Sequence, residues 1–176
     1  MTTWFTSDTH FGHTNIIKYN NRPFQTRNDM DLQLIANWNS VVAKDDTVYH
    51  LGDFCFCTEQ EGQAILDSLK GKKHLISGNH DKVAKKLVGW ESIQPMLEVS
   101  IDGKLIILCH YALRVWNKSH HGSWHLYGHS HGSLPDDPNS LSFDAGVDCH
   151  NYQMLNMDAV RRIMKTKTWK AVDHHA

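Results

Sequence analysis

The stretch His74-Leu75-Ile76-Ser77-Gly78-Asn79-His80-Asp81 reads as a short buried strand that runs into a glycine. The residues behind it, Lys82-Val83-Ala84-Lys85-Lys86-Leu87, read as the start of a helix. A strand that breaks at glycine before a helix puts a loop at the carboxyl edge of a sheet, where open α/β folds bind ligands. Three polar side chains stand there in a row. An amide oxygen can ligate a metal, an imidazole can pass a proton, and a carboxylate can fix the imidazole's tautomer. Gly-Asn is also ordinary turn chemistry, so the weight of the reading falls on how the neighbouring strands end.

Toward the N-terminus, Thr3-Trp4-Phe5-Thr6-Ser7 is a β-prone run that stops at Asp8-Thr9-His10. A loop is expected from there through Arg22-Pro23-Phe24. A helix then starts at Thr26, whose spacing to Asp29 fits a capping box. Met30, Leu34, Ile35, Trp38, Val41 and Val42 recur at helical spacing and are expected to face the core. Thr47 to Leu51 is the next strand, ending at Gly52-Asp53, and Glu59 to Leu69 reads as a helix with Gly71 as its stop signal. The alternation is βαβαβ, which implies a parallel sheet.

Past residue 90 the pattern changes. Met96–Ile101 and Lys104–Cys109 flank Asp102-Gly103, a two-residue hairpin signal, and the second of these strands ends at His110. Trp124–Tyr127 ends at Gly128-His129-Ser130-His131. Phe143 to Val147 is expected as a last strand, and Met157 to Met164 as a closing helix capped by Asn156. The fold class is therefore α/β (an α+β sandwich): a two-layered mixed β-sandwich flanked by helices, in one domain spanning residues 1–176.

Composition bounds the function. The 176 residues are 40% hydrophobic, a globular balance with enough chain for a core. No apolar run approaches a membrane span, and Met1-Thr2-Thr3-Trp4 lacks the order of a signal peptide, so a cytoplasmic protein without a membrane partner is expected. Four cysteines without C-x-x-C spacing read as reduced thiols. The net charge of −1 argues against gripping a long nucleic-acid duplex. The outlier is histidine, with 14 residues; His174 and His175 at the end read as a tag remnant and are set aside.

Each core strand ends in metal-competent residues: Asp8 and His10, Asp53, Asn79 and His80, His110, His129 and His131. Carboxylate, imidazole and amide oxygen form a mixed donor set that suits Mn²⁺, Fe or Zn²⁺. Such a set is too large for one ion and fits two that share a carboxylate. His13 and Asn15 are either substrate contacts or solvated loop residues. His50, His74 and His125 lie within strands and read as packed or exposed, His120 and His121 as loop residues near the last ligands. Trp38, Phe54 and Phe56 read as core.

The succession Asp-x-His, Gly-Asp, Gly-Asn-His-Asp, His and Gly-His-x-His resembles the calcineurin-like metallophosphoesterase family. Ser7-Asp8-Thr9-His10-Phe11-Gly12-His13, Arg22-Pro23-Phe24 and Phe143-Asp144-Ala145-Gly146-Val147-Asp148 are similar to a small phage and bacterial branch of it. The resemblance implies that Asp8, His10 and His131 hold one divalent metal, that Asn79, His110 and His129 hold a second, and that Asp53 bridges them. Manganese is expected, with iron, zinc or nickel as alternatives. It further implies that His80 is the proton donor or phosphate contact, oriented by Asp81, with Asn79, His13 and Arg22 beside the substrate. Protein phosphatases of the family continue Gly-Asp with a further Asp-Arg pair; here Gly52-Asp53 runs into Phe54-Cys55-Phe56, so that arginine is missing and only Arg22 or Arg114 could replace it.

The expected activity is hydrolysis of phosphate esters, in particular diesters of small nucleotide-like substrates, by a hydroxide held between the metals. Two rivals are a nuclease acting on short or single-stranded nucleic acid, and a non-catalytic metal-binding scaffold. The scaffold of this fold lacks the histidine after Gly-Asn, which this sequence has as His80.

Overall fold

The computed structural model describes residues 1–172; His174 and His175 lie outside the described residues. In chain order the elements are β1 (Thr3–Thr6), α1 (Thr14–Tyr19), α2 (Arg27–Val41), β2 (Thr47–His50), α3 (Glu59–Ser68) and β3 (Lys72–Ile76). There follow β4 (Trp90–Gln94), β5 (Met96–Ile101), β6 (Lys104–Cys109), β7 (Trp124–Tyr127), β8 (Ser142–Asp144), β9 (Leu155–Asn156) and α4 (Met157–Lys165). One sheet has the order β4-β3-β2-β1-β9 and the other β5-β6-β7-β8. Strands β1 to β4 are mutually parallel, as are β6 to β8.

Side-chain alternation explains the layering. On β1, β2 and β3 the residues Phe5, Tyr49 and Ile76 point to one face and Trp4, Val48 and Leu75 to the other. The first face packs on Ile106, Leu108, Leu126 and Phe143 of the second sheet and on Val160 and Met164 of α4. The second face packs on Met30, Leu34 and Trp38 of α2 and on Leu66 of α3. The result is the expected sandwich, with helices covering the outer side of the first sheet.

Local chemistry sets the element ends. Thr26 and Asp29 form the reciprocal capping box of α2, each side chain taking the other's backbone N–H at 3.1 Å. Thr58 and Glu61 do the same for α3. Asp102 and Gly103 both lie at positive φ, 50° and 76°, as a type I′ hairpin turn requires. The two sheets are tied together at the carboxyl ends of their strands, where Ser7 bridges to Gly146 and the Val147 N–H donates to the Ser7 carbonyl at 3.0 Å.

Several expectations are corrected. Residues 82–87 form only a single 3₁₀ turn at Ala84–Lys86 before Gly89 and β4 redirect the chain; one turn fixes many dihedrals for few hydrogen bonds and does not propagate. The expected loop after His10 contains α1, and β4 and β9 went unforeseen. Strand β8 stops at Asp144 and not at Val147, because the Asp144 carboxylate takes the Gly146 N–H at 2.8 Å and closes a turn. Val41 faces solvent while Met30, Leu34, Trp38 and Val42 are buried, and Phe56 is 50% exposed whereas Trp38 and Phe54 are core. The four cysteines are free.

Candidate metal centre

All seven proposed ligands fall in the loops that leave β1, β2, β3, β6 and β7 at their carboxyl ends. Five of them, Asp8, His10, Asp53, His129 and His131, have φ between 48° and 69°, and they make up half of the ten non-glycine residues in that region among the described residues. A left-handed backbone costs an L-residue about 1–2 kcal/mol, so its concentration here marks loops shaped to aim side chains inward. Glycine permits the close approach. A Cβ at Gly128 would overlap Ser7 and Asp8, and one at Gly78 would overlap Asp53 and His110.

Two groups of donor atoms result. Asp8, His10 and His131 form one and Asp53, His110 and His129 the other, each with its donor atoms within 4.8 Å of one another. Asp53 joins them, since its Oδ2 lies 3.6 Å from Nε2 of His10 and 3.6 Å from Nε2 of His110. Asn79 Oδ1 lies 3.1 Å from His110 Nε2, at the second group. His131 Nε2 is 3.7 Å from Asp8 Oδ1. The donors therefore converge as two triads about a shared carboxylate.

These residues fit divalent ions. Among the described residues Asp8 Oδ1 and His10 Nε2 are buried without a hydrogen-bond partner, and buried polar atoms are rarely left so. Desolvation pushes the Asp8 carboxyl up to about 8 and the His10 imidazole down to about 2. A cation lying between such groups supplies the missing partner, and imidazole with carboxylate is a donor set for borderline metals.

The imidazoles are held by their other nitrogens. A carbonyl only accepts, so the 2.8 Å contact from His110 Nδ1 to the Leu51 oxygen puts the proton on Nδ1 and leaves the Nε2 lone pair facing Asp53. His131 Nδ1 lies 2.7 Å from Asp148 Oδ2. Burial alone would lower His131, but Asp148 and Asp8 outweigh it and its pKa is raised. Burial likewise opposes the Asp148 charge, yet hydrogen bonds from His131 and Arg22 hold its carboxyl below the usual range. This carboxylate–imidazole pairing is the arrangement that orients metal-bound histidines elsewhere. In the sequence Asp148 is only part of a motif, and its spacing gives no sign of a contact with His131.

Two expected roles change. Arg22 does not face a substrate: its side chain is fully buried, with Nε and Nη2 each 2.8 Å from Asp148, Nη1 donating to the Thr9 carbonyl and Nη2 to the Asp8 carbonyl. Its donors are spent holding the Asp8 loop. Asp81 does not touch the His80 ring; its carboxylate takes the backbone N–H groups of Gly78, Asp53 and Phe54 at 2.7, 2.9 and 2.8 Å. Buried among donors, it clamps two ligand loops together. Arg114 lines a cavity of about 400 Å³ together with Trp116, Tyr127 and Trp169.

His80 and His13 stand at the mouth. The His80 ring is 5.8 Å from that of His10, and its backbone N–H donates to Asp53 Oδ1 at 2.9 Å. His13 Nδ1 lies 3.3 Å from His10 Nδ1. Asp31 takes the Gly12 N–H with both oxygens, at 3.0 and 3.1 Å, and so fixes the loop that carries His13. His50 and His125 are packed, His74 bonds Ser92, and His120 and His121 pair their rings in a 3₁₀ turn.

The family model of the calcineurin-like phosphoesterase superfamily domain matches residues 1–143. The chain belongs to that superfamily. An uncharacterized protein of Methanocaldococcus jannaschii is 33% identical over 166 residues, covering 90% of this chain and 89% of that protein. The gene 66 protein of Mycobacterium phage D29 is 27% identical, covering 92% and 94%. The crystal structure of a protein of unknown function from Aquifex aeolicus has a TM-score of 0.72 at 25% identity, covering 92% of this chain and 98% of that one. Membership makes the chain a metal-dependent hydrolase of phosphate esters, and the two donor triads are where this chain can hold divalent ions. No helix among the described residues is long and apolar enough to cross a membrane.

Burial gives the centre a pH signature in the metal-free protein. A raised acid such as Asp8 contributes stability that is present below its unfolded value of 3.8 and is lost as pH climbs to about 8. His10, lowered from 6.5 to about 2, contributes stability lost as pH falls below 6.5, so above 6.5 it no longer changes. His131, raised, loses its contribution as pH rises past 6.5 and acts in the direction of Asp8. Thermal unfolding with manganese and with chelator should therefore show a gap in Tm that widens from pH 6.5 to 8. In chelator, Asp8→Asn should flatten the slope. A gap constant with pH, or an unchanged slope in Asp8→Asn, would contradict the burial argument.

Proposed function

We propose that this protein hydrolyses phosphodiesters of small, nucleotide-like substrates at a dinuclear manganese centre formed by Asp8, His10, His131, Asp53, Asn79, His110 and His129. The observation that carries the reading is the shared carboxylate: Asp53 Oδ2 stands 3.6 Å from one imidazole of each triad. Divalent ions held by these residues would activate water and neutralise charge on phosphoryl oxygens. The chain's own residues do the rest. Asp148, Leu51 and the Asp81 clamp fix the donors, and His80, exposed at the mouth, hands a proton to the leaving alkoxide.

The diester preference rests on the cations at hand. Gly52-Asp53 runs into Phe54-Cys55-Phe56 where the family has a further Asp-Arg pair, so that arginine is missing, and Arg22 is spent on Asp148 and two carbonyls. A dianionic monoester would lack the arginine that phosphoprotein phosphatases offer it; a monoanionic diester needs less positive charge. The chain's charge of −1 favours a small substrate over duplex DNA or RNA.

A panel of alkyl monoesters, linear diesters and cyclic nucleotides, assayed on metal-stripped protein with single metals restored, tests both parts. Diester turnover should exceed monoester turnover, and Mn²⁺ should restore more activity than Mg²⁺, because imidazole-rich sites suit the softer ion. Equal rescue by Mg²⁺, or a preference for monoesters, would overturn the corresponding part.

His80→Ala separates catalysis from metal binding. The variant should keep its metals and slow an alkyl ester by about 10²–10⁴-fold, the usual range for a general acid. A p-nitrophenyl ester, whose leaving group departs as the anion, should slow far less. Similar slowing of both esters would make His80 an electrostatic contact, and loss of metal would make it a ligand.

A further inference from the structure

Aromatic side chains ring the mouth of this centre. Four aromatic residues among the described residues stand out as exposed: Tyr19, Phe56, Tyr111 and Trp169, and three of these touch imidazoles of the site. Tyr19 meets His13 edge-on at 6.3 Å between centroids. Tyr111 lies 5.1 Å from His110 and 4.9 Å from His129. Phe56 stacks on His13 at 4.4 Å with 24° between planes and meets His80 edge-on at 5.5 Å. Scattered exposed hydrophobics need no explanation; three of four exposed aromatics at one opening do.

Phe56 is the telling member. Tyr19 and Tyr111 each carry a hydroxyl that can face water, whereas Phe56 has no polar tip and still leaves half its surface open. It follows Asp53 by only three residues, and the Phe56 N–H donates to the Phe11 carbonyl at 2.8 Å, which fixes its backbone beside the Asp8–His13 loop. A rigid, apolar ring is thus held next to the His80 imidazole and the metal donors. Every nucleobase offers a π-face to such a ring, and stacking of this kind is tolerant of base identity.

We infer that Phe56 is the specificity-determining residue of this site, and that it stacks a planar aromatic group of the ester, such as a nucleobase, beside His13 and His80. The inference rests on the phosphoester reading above and adds the class of substrate: esters that carry an aromatic ring next to the phosphate, in preference to purely alkyl ones. Because the selection acts through the ring face, the discrimination should fall on ring against alkyl chain and not on one base against another.

Calorimetric binding to the manganese-loaded protein tests this with phenylphosphonate and methylphosphonate. Both present the same anionic head, and neither has an ester bond to cleave. The wild-type protein should bind phenylphosphonate about tenfold more tightly, within the range that base–aromatic stacking supplies. Phe56→Ala should bring the ratio of the two affinities close to one, and Phe56→Trp should keep it. If Phe56→Ala weakens both ligands by the same factor, the ring merely supports His13 and His80 and the inference is overturned. A wild-type protein that binds methylphosphonate with no preference for the phenyl compound overturns it too, leaving the phosphoester reading in place. If neither phosphonate binds, the stacking inference is overturned, while the phosphoester reading stands or falls on the ester panel above.

Discussion

Two buried carboxylates, Asp8 and Asp53, are the constraint on which this structure depends. One is fully buried and the other nearly so; Asp53 faces His10 and His110, whose pKa values burial lowers, and Asp8 faces His131. Acids so placed either hold their protons or need cations, because a lone charge removed from water is costly. Asp8 is driven up to about 8 by its own burial, with Asp53 and Asp144 adding repulsion. Divalent ions resolve that conflict, and the surrounding structure is arranged to keep the conflict in place. Five ligands hold left-handed backbones that only a well-packed frame sustains.

The frame has two supports. One is the chain of Arg22, Asp148 and His131, in which a buried guanidinium satisfies a carboxylate that in turn orients an imidazole, while the same guanidinium bonds the carbonyls of Asp8 and Thr9. The other is Asp81, which collects three backbone N–H groups and so fastens the Asp53 loop to the Gly78 loop. Thr9 adds a smaller tie. Its hydroxyl donates to the Phe54 carbonyl and so accepts from His50 Nε2, whose Nδ1 takes the Gly52 N–H. Polar groups inside the protein thus hold the loops, and the groups left at the mouth, His80, His13 and Phe56, are free to meet a substrate.

Much of this was legible in the sequence, for a definite reason. Metal-competent residue types recur at strand ends and short β-prone runs alternate with helical ones, so the sandwich follows from residue order, while the set of seven candidate ligands came from the family resemblance that this order carries. What stayed hidden depends on contacts between segments far apart in the chain. Asp148 and Arg22 are 126 residues apart, and an arginine near a proposed site reads as a substrate contact until its partner is seen. Asp81 follows His80 directly, which suggests a tie between their side chains, but neighbours in a tight loop point apart and its oxygens went to the backbone. Phe56 lies in a run of apolar residues and reads as core; only the packing of Phe11 and Phe54 beneath the loop turns it outward. Residues 82–87 have helical composition, yet Gly89 and the pairing of β4 with β3 leave room for one turn.

The central claim is that Asp53 joins two metal ions in one centre. Electron paramagnetic resonance of the protein titrated with Mn²⁺ tests it most directly, because ions that share a carboxylate couple their spins. The account predicts two ions per chain with a coupled spectrum, and loss of both the coupling and tight binding in Asp53→Asn, since a neutral amide does not supply the bridging charge. A wild-type protein that binds one ion per chain, or an Asp53→Asn variant that keeps two coupled ions, would contradict it.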